Sequence, residues 1–530
     1  MYLLSLRIVI FGICCSFTSL LYAQTIIDEN ELEDTVLQAL ESFNTPGMSI
    51  ALVYQGKTIL SKGYGLSNLE QNTPVTPQTY FRLASTSKAF TAASLAILVD
   101  EGKLNWDDLV IDHIPQFRLN DSYATQHFTV KDLLTHNSGL VGGAGDSMIW
   151  PEPSGFDRKE VIENLRFLSP EYPFHSRYAY SNVMYIVAGA LVERVSNIPF
   201  ERFVDQRIFK ALDMPCYSGS HPQAVAQASA MAYGHNDRKG LYPIPRNAIK
   251  EDALMSAAAG GMICNAEGMS KWLTALTTKS RLPFSEAQLE MMWTGHTLLN
   301  LSKDDQQWFG SNFHSYGLGW RLSNIGQFKL ISHTGTLSGY QAYIALIPEL
   351  SLGISILNNG SNYGARSAVM NTILSHFVLK NLNSENSTLS ANVDWVARFI
   401  EILKDREQKW LANNPTPVSK SRVSIPKTSI IGDYQDEWFG GLKIWLNDNK
   451  LRIKSMRMKT LIGTLTPFQD STFKIDWDNE NAQADAFIEF ELNTAREVTA
   501  ATLRPFSLKT RKNHAYRDMY FIKTNGGDAK

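Results

Sequence analysis

Two pairs of short apolar segments, each pair separated by a polar turn, lie far apart in the chain, near residue 55 and near residue 350. Residues 47–54 and 58–65 are two mostly apolar runs separated by the turn Gln55-Gly56-Lys57, which is typical of a β-hairpin. Residues 340–347 and 352–357 repeat this pattern, with Pro348 and Glu349 between them. Because these pairs are remote in sequence and each predicts antiparallel strands, we expect one antiparallel sheet built from both ends, with a helical insertion between them.

Other segments show the composition of buried helices. A helix is predicted to begin near Ser85 and to stop at Gly102, because Ala, Leu and Ile dominate this stretch and no proline interrupts it. Residues 183–195 are apolar on nearly every side, and residues 367–382 also read as a helix. The fold class predicted for this part is therefore α/β (α+β), an antiparallel sheet flanked by helices with a helical subdomain.

The period of the pattern changes after residue 390. Residues 393–411 predict an amphipathic helix, and residues 413–426 contain three prolines and predict a linker. Alternation with period two then predicts a small all-β barrel, with these apolar positions: Leu442, Ile444, Leu446, Leu451, Ile453, Phe473, Ile475, Trp477, Ile488, Phe490 and Leu492. We therefore divide the chain into four parts: a leader at residues 1–23, the α/β region at residues 24–390, a helix and linker at residues 391–427, and the β domain at residues 428–530.

The first 23 residues predict a secretory signal peptide. Arg7 precedes an apolar stretch over residues 8–21, and Leu21-Tyr22-Ala23 supplies a small-residue cleavage site before Gln24. A retained membrane anchor is the alternative. We expect an exported protein, periplasmic or secreted, with no stable membrane span after cleavage.

The charge and the cysteine content of the chain limit the partners, metal sites and disulfides that we expect. With a formal net charge of -2 and 19% charged residues, the chain is not basic enough to indicate nucleic acid as a partner. Cys216 and Cys264 remain after signal cleavage, and we predict two independent buried thiols, with a disulfide as the alternative, because a large core needs no covalent link. No Cys/His cluster has the spacing of a zinc site.

Ser85 and Lys88 lie one turn apart on the predicted helix. Backbone N–H groups at a helix start favour developing negative charge, so Ser85 is placed as a nucleophile. A desolvated Lys88 can lose its proton and activate the Ser85 hydroxyl. The alternative is a capping serine followed by a solvated lysine, which the apolar flanks disfavour.

Two further motifs add candidate groups. Tyr180 and Asn182 precede the second buried helix, where a phenol can carry protons between Ser85 and a leaving group. His333-Thr334-Gly335 lies on a predicted strand, and its glycine allows close approach of a substrate backbone. The backbone N–H groups of Ser85 and Thr336 are candidates for an oxyanion hole. Taken singly, each motif also fits a structural aromatic residue or histidine.

Together these motifs resemble the serine β-lactamase and penicillin-binding-protein superfamily, in the branch of class C β-lactamases, D-aminopeptidases and esterases. The resemblance covers roughly residues 44–382 and is strengthened by residues 132–140, 259–261 and 316–320. The C-terminal part looks like the lipocalin-like domain that some exported members carry.

The resemblance implies a role for each motif. Ser85 is then the nucleophile, Lys88 its base and Tyr180 the proton shuttle. Asn182 and the segment His333-Thr334-Gly335 bind substrate. The implied activity is hydrolysis of a small peptide, amide or ester through an acyl-enzyme, without a metal or an organic cofactor. The alternatives are a class C-type β-lactamase or D,D-carboxypeptidase, and a penicillin sensor that is acylated without turnover.

His333 departs from the lysine that β-lactamases usually have at this position. A histidine is mostly neutral near pH 7, whereas a lysine keeps the charge that helps to hold a substrate carboxylate. We therefore expect weak β-lactamase activity, and a preference for carboxylate-bearing substrates that increases at mildly acidic pH. The sequence predicts neither the natural substrate nor the oligomeric state.

Overall fold

The computed structural model describes residues 27–219, 231–237, 240–244, 254–381, 393–479, 485–506 and 516–524. The predicted signal peptide and the predicted domain boundary at residue 390 lie outside these ranges. In the part of the chain that is described, no single helix is long and apolar enough to cross a bilayer, although the bent pair Asn182–Ser196 and Phe200–Phe209 passes that test when combined.

A nine-stranded antiparallel sheet forms the centre of the first part of the molecule, as predicted. Strands from both ends of this region meet where Gly47–Tyr54 pairs with Leu352–Asn358, with Ile50 opposite Ile356. In order across the sheet the strands are Thr73–Pro74, Lys57–Asn68, Gly47–Tyr54, Leu352–Asn358, Tyr340–Ile347, Phe328–Leu337, Arg321–Ile325, His314–Tyr316 and Thr297–Leu298.

Both faces of the sheet are covered, so its central strands are apolar on both sides. Ile50 and Leu52 face a core formed with three helices, Glu29–Ser42, Gly364–Asn381 and Trp395–Asn413. Ala51 and Val53 face the opposite core. Apart from the first and last few residues, the predicted helix over residues 393–411 is confirmed.

The helical insertion packs on the second face and contains the second predicted buried helix, Asn182–Ser196. The remaining α-helices of the described chain are Lys88–Asp100, Val110–His113, Ser122–His127, Asp132–Thr135, Arg158–Asn164, Phe200–Val204, Ala266–Thr278, Glu286–Met292 and Lys303–Phe309. The π-turn Ala257–Gly261 and a short strand pair, Phe81–Arg82 with Ile263–Cys264, lie beside Lys88–Asp100.

The C-terminal part is a closed eight-stranded barrel, which confirms the predicted all-β fold. Leu442 and Ile444 point into it, whereas Leu446, placed inside by the same period, is 46% exposed because its strand ends at Asn447. The strands follow in sequence order and the first pairs with the last: Gly432–Asp436, Gly440–Asn447, Lys450–Ser455, Ile462–Gln469, Thr472–Trp477, Ala486–Leu492, Val498–Pro505 and Tyr520–Thr524.

The prediction of two independent thiols is wrong, because Cys216 and Cys264 form a disulfide. An isolated antiparallel bridge between Tyr217 and Ile263 brings the two segments together, with the cysteine Cα atoms 4.3 Å apart. The sequence separation of 48 residues gave no sign of this contact. Cys264 also pairs with Phe81, so the disulfide lies close to the strand that leads to Ser85.

Candidate active site

Ser85 lies in a single 3₁₀ turn, Ala84–Ser87, that continues directly into the helix Lys88–Asp100. Two glycines make room for this turn. A Cβ at Gly335 would lie 3.0 Å from the backbone nitrogen of Ser85, and one at Gly260 would lie 3.3 Å from the carbonyl carbon of Ala84. Ala84 itself has a φ of 48°, which is unfavourable for a residue with a Cβ. Tight packing therefore fixes the backbone around Ser85.

Lys88 is fully buried beneath Ser85. Its Nζ donates to Oδ1 of Asn182 at 2.8 Å and to the carbonyl oxygen of Ala259 at 2.6 Å, and lies 3.5 Å from Oγ of Ser85. Burial lowers the pKa of Lys88 well below its usual value. A neutral amine has two hydrogens and one lone pair. Since two carbonyl oxygens accept the hydrogens, the lone pair is left for the Ser85 hydroxyl.

Asn182 connects Lys88 to a carboxyl group that sequence reasoning missed. Its Nδ2 donates to both carboxyl oxygens of Asp146, at 3.2 and 3.0 Å, which fixes the amide so that Oδ1 faces Lys88. Burial raises the pKa of Asp146 to about 7, against the opposing effects of Asn182 and Lys88. The amide assigned to substrate binding thus has both ends engaged within the protein. Asp146 begins the 3₁₀ turn Asp146–Met148, and no sequence motif marks it as a site residue.

Tyr180 places its ring centre 4.7 Å from Nζ of Lys88. Burial raises the pKa of this phenol, as does Tyr178. Tyr180 therefore keeps its proton at neutral pH and is suited to donate one. The structure brings Ser85, Lys88 and Tyr180 together, as the sequence predicted.

His136, another residue missed from the sequence, holds Tyr180 in place. Its carbonyl oxygen accepts the N–H of Ala179 at 2.7 Å, and its Nδ1 accepts the N–H of Ser181 at 3.0 Å. Its ring centre is 4.2 Å from that of Tyr180. His136 adopts a left-handed φ of 57°, and burial lowers its pKa well below 6.5. His136 thus fixes the backbone on both sides of Tyr180, through its carbonyl oxygen at Ala179 and through its neutral ring at Ser181.

His333 does not have the role that we expected from its charge. The ring is 1% exposed, Nδ1 lies 2.8 Å from the carbonyl oxygen of Thr334, and Tyr316 Oη lies 2.8 Å from Nε2. A carbonyl only accepts, so Nδ1 carries the proton and Nε2 accepts from Tyr316. Burial lowers the pKa of His333 well below 6.5, with Arg321 as the next cause. The expected gain of charge at mildly acidic pH is therefore wrong.

The fixed positive charge beside Thr334 comes from Arg321. Its guanidinium donates to Oγ1 of Thr334 at 3.0 Å and to the Tyr178 hydroxyl at 3.5 Å. Burial opposes its charge, but Tyr178 and Tyr316 raise its pKa. Among the residues that the structure describes, no carboxylate forms an ion pair with Arg321. The sequence signal was an arginine on a buried strand, directly after Gly319 and Trp320.

The predicted oxyanion segment runs beside Ser85 and is held from behind by Arg366. Gly335 packs against the Ser85 backbone, and Thr336 follows it with an exposed side chain. Arg366 is buried in the helix Gly364–Asn381 and donates to the carbonyl oxygens of Gly335 and of Ala342, the latter at 2.8 Å. Burial lowers the pKa of Arg366 to about 9. Arg366 thereby fixes the strand that carries the Thr336 N–H.

The chain is similar in sequence to a hydrolase of Aspergillus campestris and to a protein of Staphylococcus aureus. An unguisins hydrolase of Aspergillus campestris is 27% identical over 485 residues, covering 88% of this chain and 87% of its own. Protein flp of Staphylococcus aureus is 26% identical over 337 residues, 63% of each chain. A model described as a domain of unknown function (DUF3471) matches residues 419–519, in the barrel region.

Solved structures share the fold. The octameric penicillin-binding protein homologue from Pyrococcus abyssi aligns over 94% of this chain and 100% of its own, with a TM-score of 0.60 and 22% identity. A class C beta lactamase from Rhodobacter sphaeroides aligns over 66% of this chain and 99% of its own, with a TM-score of 0.54 and 19% identity. The family model described as Beta-lactamase matches residues 32–376, more than half of the sequence, and the chain therefore belongs to the beta-lactamase family.

Proposed function

We propose that the chain is an exported serine hydrolase that forms an acyl-enzyme on Ser85 and cleaves a small peptide, amide or ester. The observation that carries this proposal is the state of Lys88, a buried amine whose two hydrogens are taken by Asn182 and Ala259. Its lone pair faces the Ser85 hydroxyl, as a general base requires.

Acylation follows from this arrangement. Lys88 Nζ accepts the Ser85 hydroxyl proton while Oγ attacks the substrate carbonyl carbon. The N–H groups of Ser85 and Thr336 receive the negative charge that develops on the carbonyl oxygen. Tyr180, which keeps its phenolic proton, donates to the leaving group and is reprotonated from Lys88. Water then attacks the acyl-enzyme with the same groups acting in reverse.

Two observations support the finer parts of the proposal. A relative that aligns along most of the chain is named as a hydrolase, which favours turnover over a sensor that stops at acylation. The Cys216–Cys264 disulfide is typical of an oxidising compartment and supports export. A mature N-terminus at Gln24, measured by mass spectrometry of the secreted protein, tests the cleavage site.

Arg321 supports a second candidate function, the hydrolysis of a substrate that carries a carboxylate. A partly buried guanidinium without an ion pair to any described carboxylate favours a substrate that carries a carboxylate, as a D,D-carboxypeptidase or β-lactamase would bind. A panel of p-nitrophenyl esters, D- and L-amino-acid anilides and nitrocefin distinguishes these substrate classes.

Ser85→Ala tests the nucleophile. This variant should lose ester hydrolysis and labelling by a fluorophosphonate, whereas Ser87→Ala, in the same turn, should keep both. The Ser87 hydroxyl is buried and accepts the N–H of Met262 at 3.3 Å. Burst kinetics with a p-nitrophenyl ester separate the enzyme from a sensor, because a sensor gives one turnover and stops. Labelling of the Ser85→Ala protein would refute the assignment.

A further inference from the structure

The barrel rests directly on a loop of the α/β region at Gly155. The Gly155 N–H donates to Sδ of Met458 at 3.4 Å, and a Cβ at Gly155 would lie 1.9 Å from the carbonyl oxygen of Arg457. Arg457 also lies 4.6 Å from the centre of the Phe156 ring and pairs with Glu160 at 2.5 Å. A side chain at position 155 would therefore force the barrel and the loop apart.

The contact continues along the α/β region as far as Glu171. Three further bonds cross it: Asn164 Nδ2 to the carbonyl oxygen of Trp438 at 3.1 Å, Ser169 N to Oδ2 of Asp518 at 3.1 Å, and Arg517 to Glu171 at 2.8 Å. Apolar residues of the barrel and of the helical insertion form one continuous core. The barrel is thus packed against the loop as part of one body.

Three residues before Gly155, the same loop carries the buried carboxylate of Glu152. Both of its oxygens accept from the Arg82 guanidinium, one at 2.9 Å, and it also accepts from the Ser256 hydroxyl. The exposed fractions of the Arg82 and Glu152 side chains are 7% and 10%. A buried charge network of this kind is strongly destabilised when one member loses its partner.

Glu152 is connected in this way to both sides of the candidate active site. Arg82 lies three residues before Ser85, on the strand that enters the nucleophile turn. The Ser256 carbonyl oxygen accepts the N–H of Ala259 at 2.9 Å, and so shapes the turn whose Ala259 oxygen binds Lys88. A shift of Glu152 would therefore move the surroundings of both Ser85 and Lys88.

We propose that the C-terminal barrel positions the Ser85 turn by holding the loop at Gly155, with Glu152 as the positioning residue that transmits the contact. The barrel thereby acts on acylation without contributing a group that touches the substrate. This inference rests on the hydrolase function proposed above.

A double-mutant cycle in the full chain tests the proposal. Gly155→Ala should slow single-turnover acylation by a p-nitrophenyl ester about tenfold with little change in KM, since small misplacements far from the reacting atoms are costly. Glu152→Gln should slow it about a hundredfold, on the same grounds. The double variant should be no slower than Glu152→Gln alone, because residues on one path are not additive. If Glu152→Gln does not fold, Ser256→Ala takes its place in the cycle.

A matched glycine within the barrel provides the control. A Cβ at Gly463 would lie 2.6 Å from the carbonyl oxygen of Asp476, so Gly463→Ala strains the barrel without touching the loop. It should lower the melting temperature but leave acylation unchanged. Additive effects in the cycle, an unchanged rate in Gly155→Ala, or equal slowing by Gly463→Ala would each overturn the proposal. Wild-type protein without Ser85 labelling would instead overturn the hydrolase function itself.

Discussion

Lys88 Nζ and Oδ1 of Asn182 are 2.8 Å apart, and the amide is turned so that the lysine is the donor. This relationship sets the protonation state in which the site works. Because burial lowers the pKa of Lys88, the neutral amine is present well below the pH at which an exposed lysine loses its proton. The same relationship makes the pH dependence of acylation a test of the mechanism.

For a neutral p-nitrophenyl ester, kcat/KM should rise with pH as Lys88 loses its proton and then level off. Lys88→Arg keeps the positive charge but offers no lone pair, and should lose several orders of magnitude at every pH. Tyr180→Phe should also slow turnover, and combining it with Lys88→Ala should cost much less than the sum. A Lys88→Arg protein with near wild-type activity would exclude Lys88 as the base.

Asp146→Asn should change both the size and the position of the pH profile. The carboxylate attracts a proton to Lys88, so its removal should lower the lysine pKa and move the acidic limb to lower pH. Only one oxygen then remains at position 146 to accept from the Asn182 amide, which is held less firmly, and we expect kcat to fall about tenfold. Asp157→Asn, at the start of the helix Arg158–Asn164, is the matched control and should leave the profile unchanged. An unshifted limb in Asp146→Asn would remove Asp146 from the site.

Stability should respond to Asp146 as well. Its folded pKa is raised from 3.8 to about 7, so the folded protein holds this proton more tightly than the unfolded chain. The resulting stabilisation is complete below the unfolded pKa and is lost as pH rises towards about 7. Asp146→Asn should remove this part of the slope, which urea denaturation at several pH values measures. Identical slopes in both proteins would contradict the raised pKa.

His136→Ala should reduce kcat about a hundredfold, because Tyr180 loses the contacts that fix it. His136→Asn should recover part of the rate, since an amide oxygen can accept the Ser181 N–H and asparagine tolerates a left-handed φ. KM should change little in either variant. Asn197→Ala also places alanine at a left-handed position and controls for backbone strain. It should lower the stability of the protein but leave kcat unchanged. Equal rates for His136→Ala and His136→Asn would show that the ring nitrogen has no positioning role.

The sequence revealed those parts of the fold and site that depend on local pattern. The buried helix after Ser85 and the alternating strands of the barrel are recognisable because burial sets a period over neighbouring residues. Ser85 and Lys88 were expected on one face because one helical turn links them, and Lys88 Nζ lies 3.5 Å from Ser85 Oγ. Leu446 shows the limit of this reasoning, since a period does not mark where a strand leaves the core.

Contacts between remote segments were not predictable in the same way. Asp146 meets Asn182 across 36 residues, and the disulfide joins segments 48 residues apart. The burial of His333 depends on Tyr316, which reaches it from another strand. Each of these side chains has an ordinary local context, so its role follows from topology rather than from a motif.

Arg321, rather than His333, should determine how the enzyme handles a substrate carboxylate. The guanidinium lies beside Thr334 at the candidate substrate segment and stays charged, whereas the His333 ring is buried, neutral and bonded on both nitrogens. The ratio of kcat/KM for a carboxylate-bearing ester to that for its neutral amide analogue should therefore be constant between about pH 6 and 9, as expected for a group that does not titrate there.

Arg321→Met should lower that ratio about tenfold or more, because a charge-assisted hydrogen bond contributes about 1.5–3 kcal/mol. Arg321→Lys should keep part of the preference, since it keeps the charge but loses the paired geometry of the guanidinium. Hydrolysis of the neutral analogue should change much less in both variants, which controls for damage to the Ser85 turn. The decisive measurement is the ratio against pH in the wild type and in Arg321→Met. A ratio that rises towards acidic pH in the wild type and stays high in Arg321→Met would instead assign carboxylate binding to His333. The His333 ring would then have to be charged in the working enzyme, which contradicts its burial as a neutral ring.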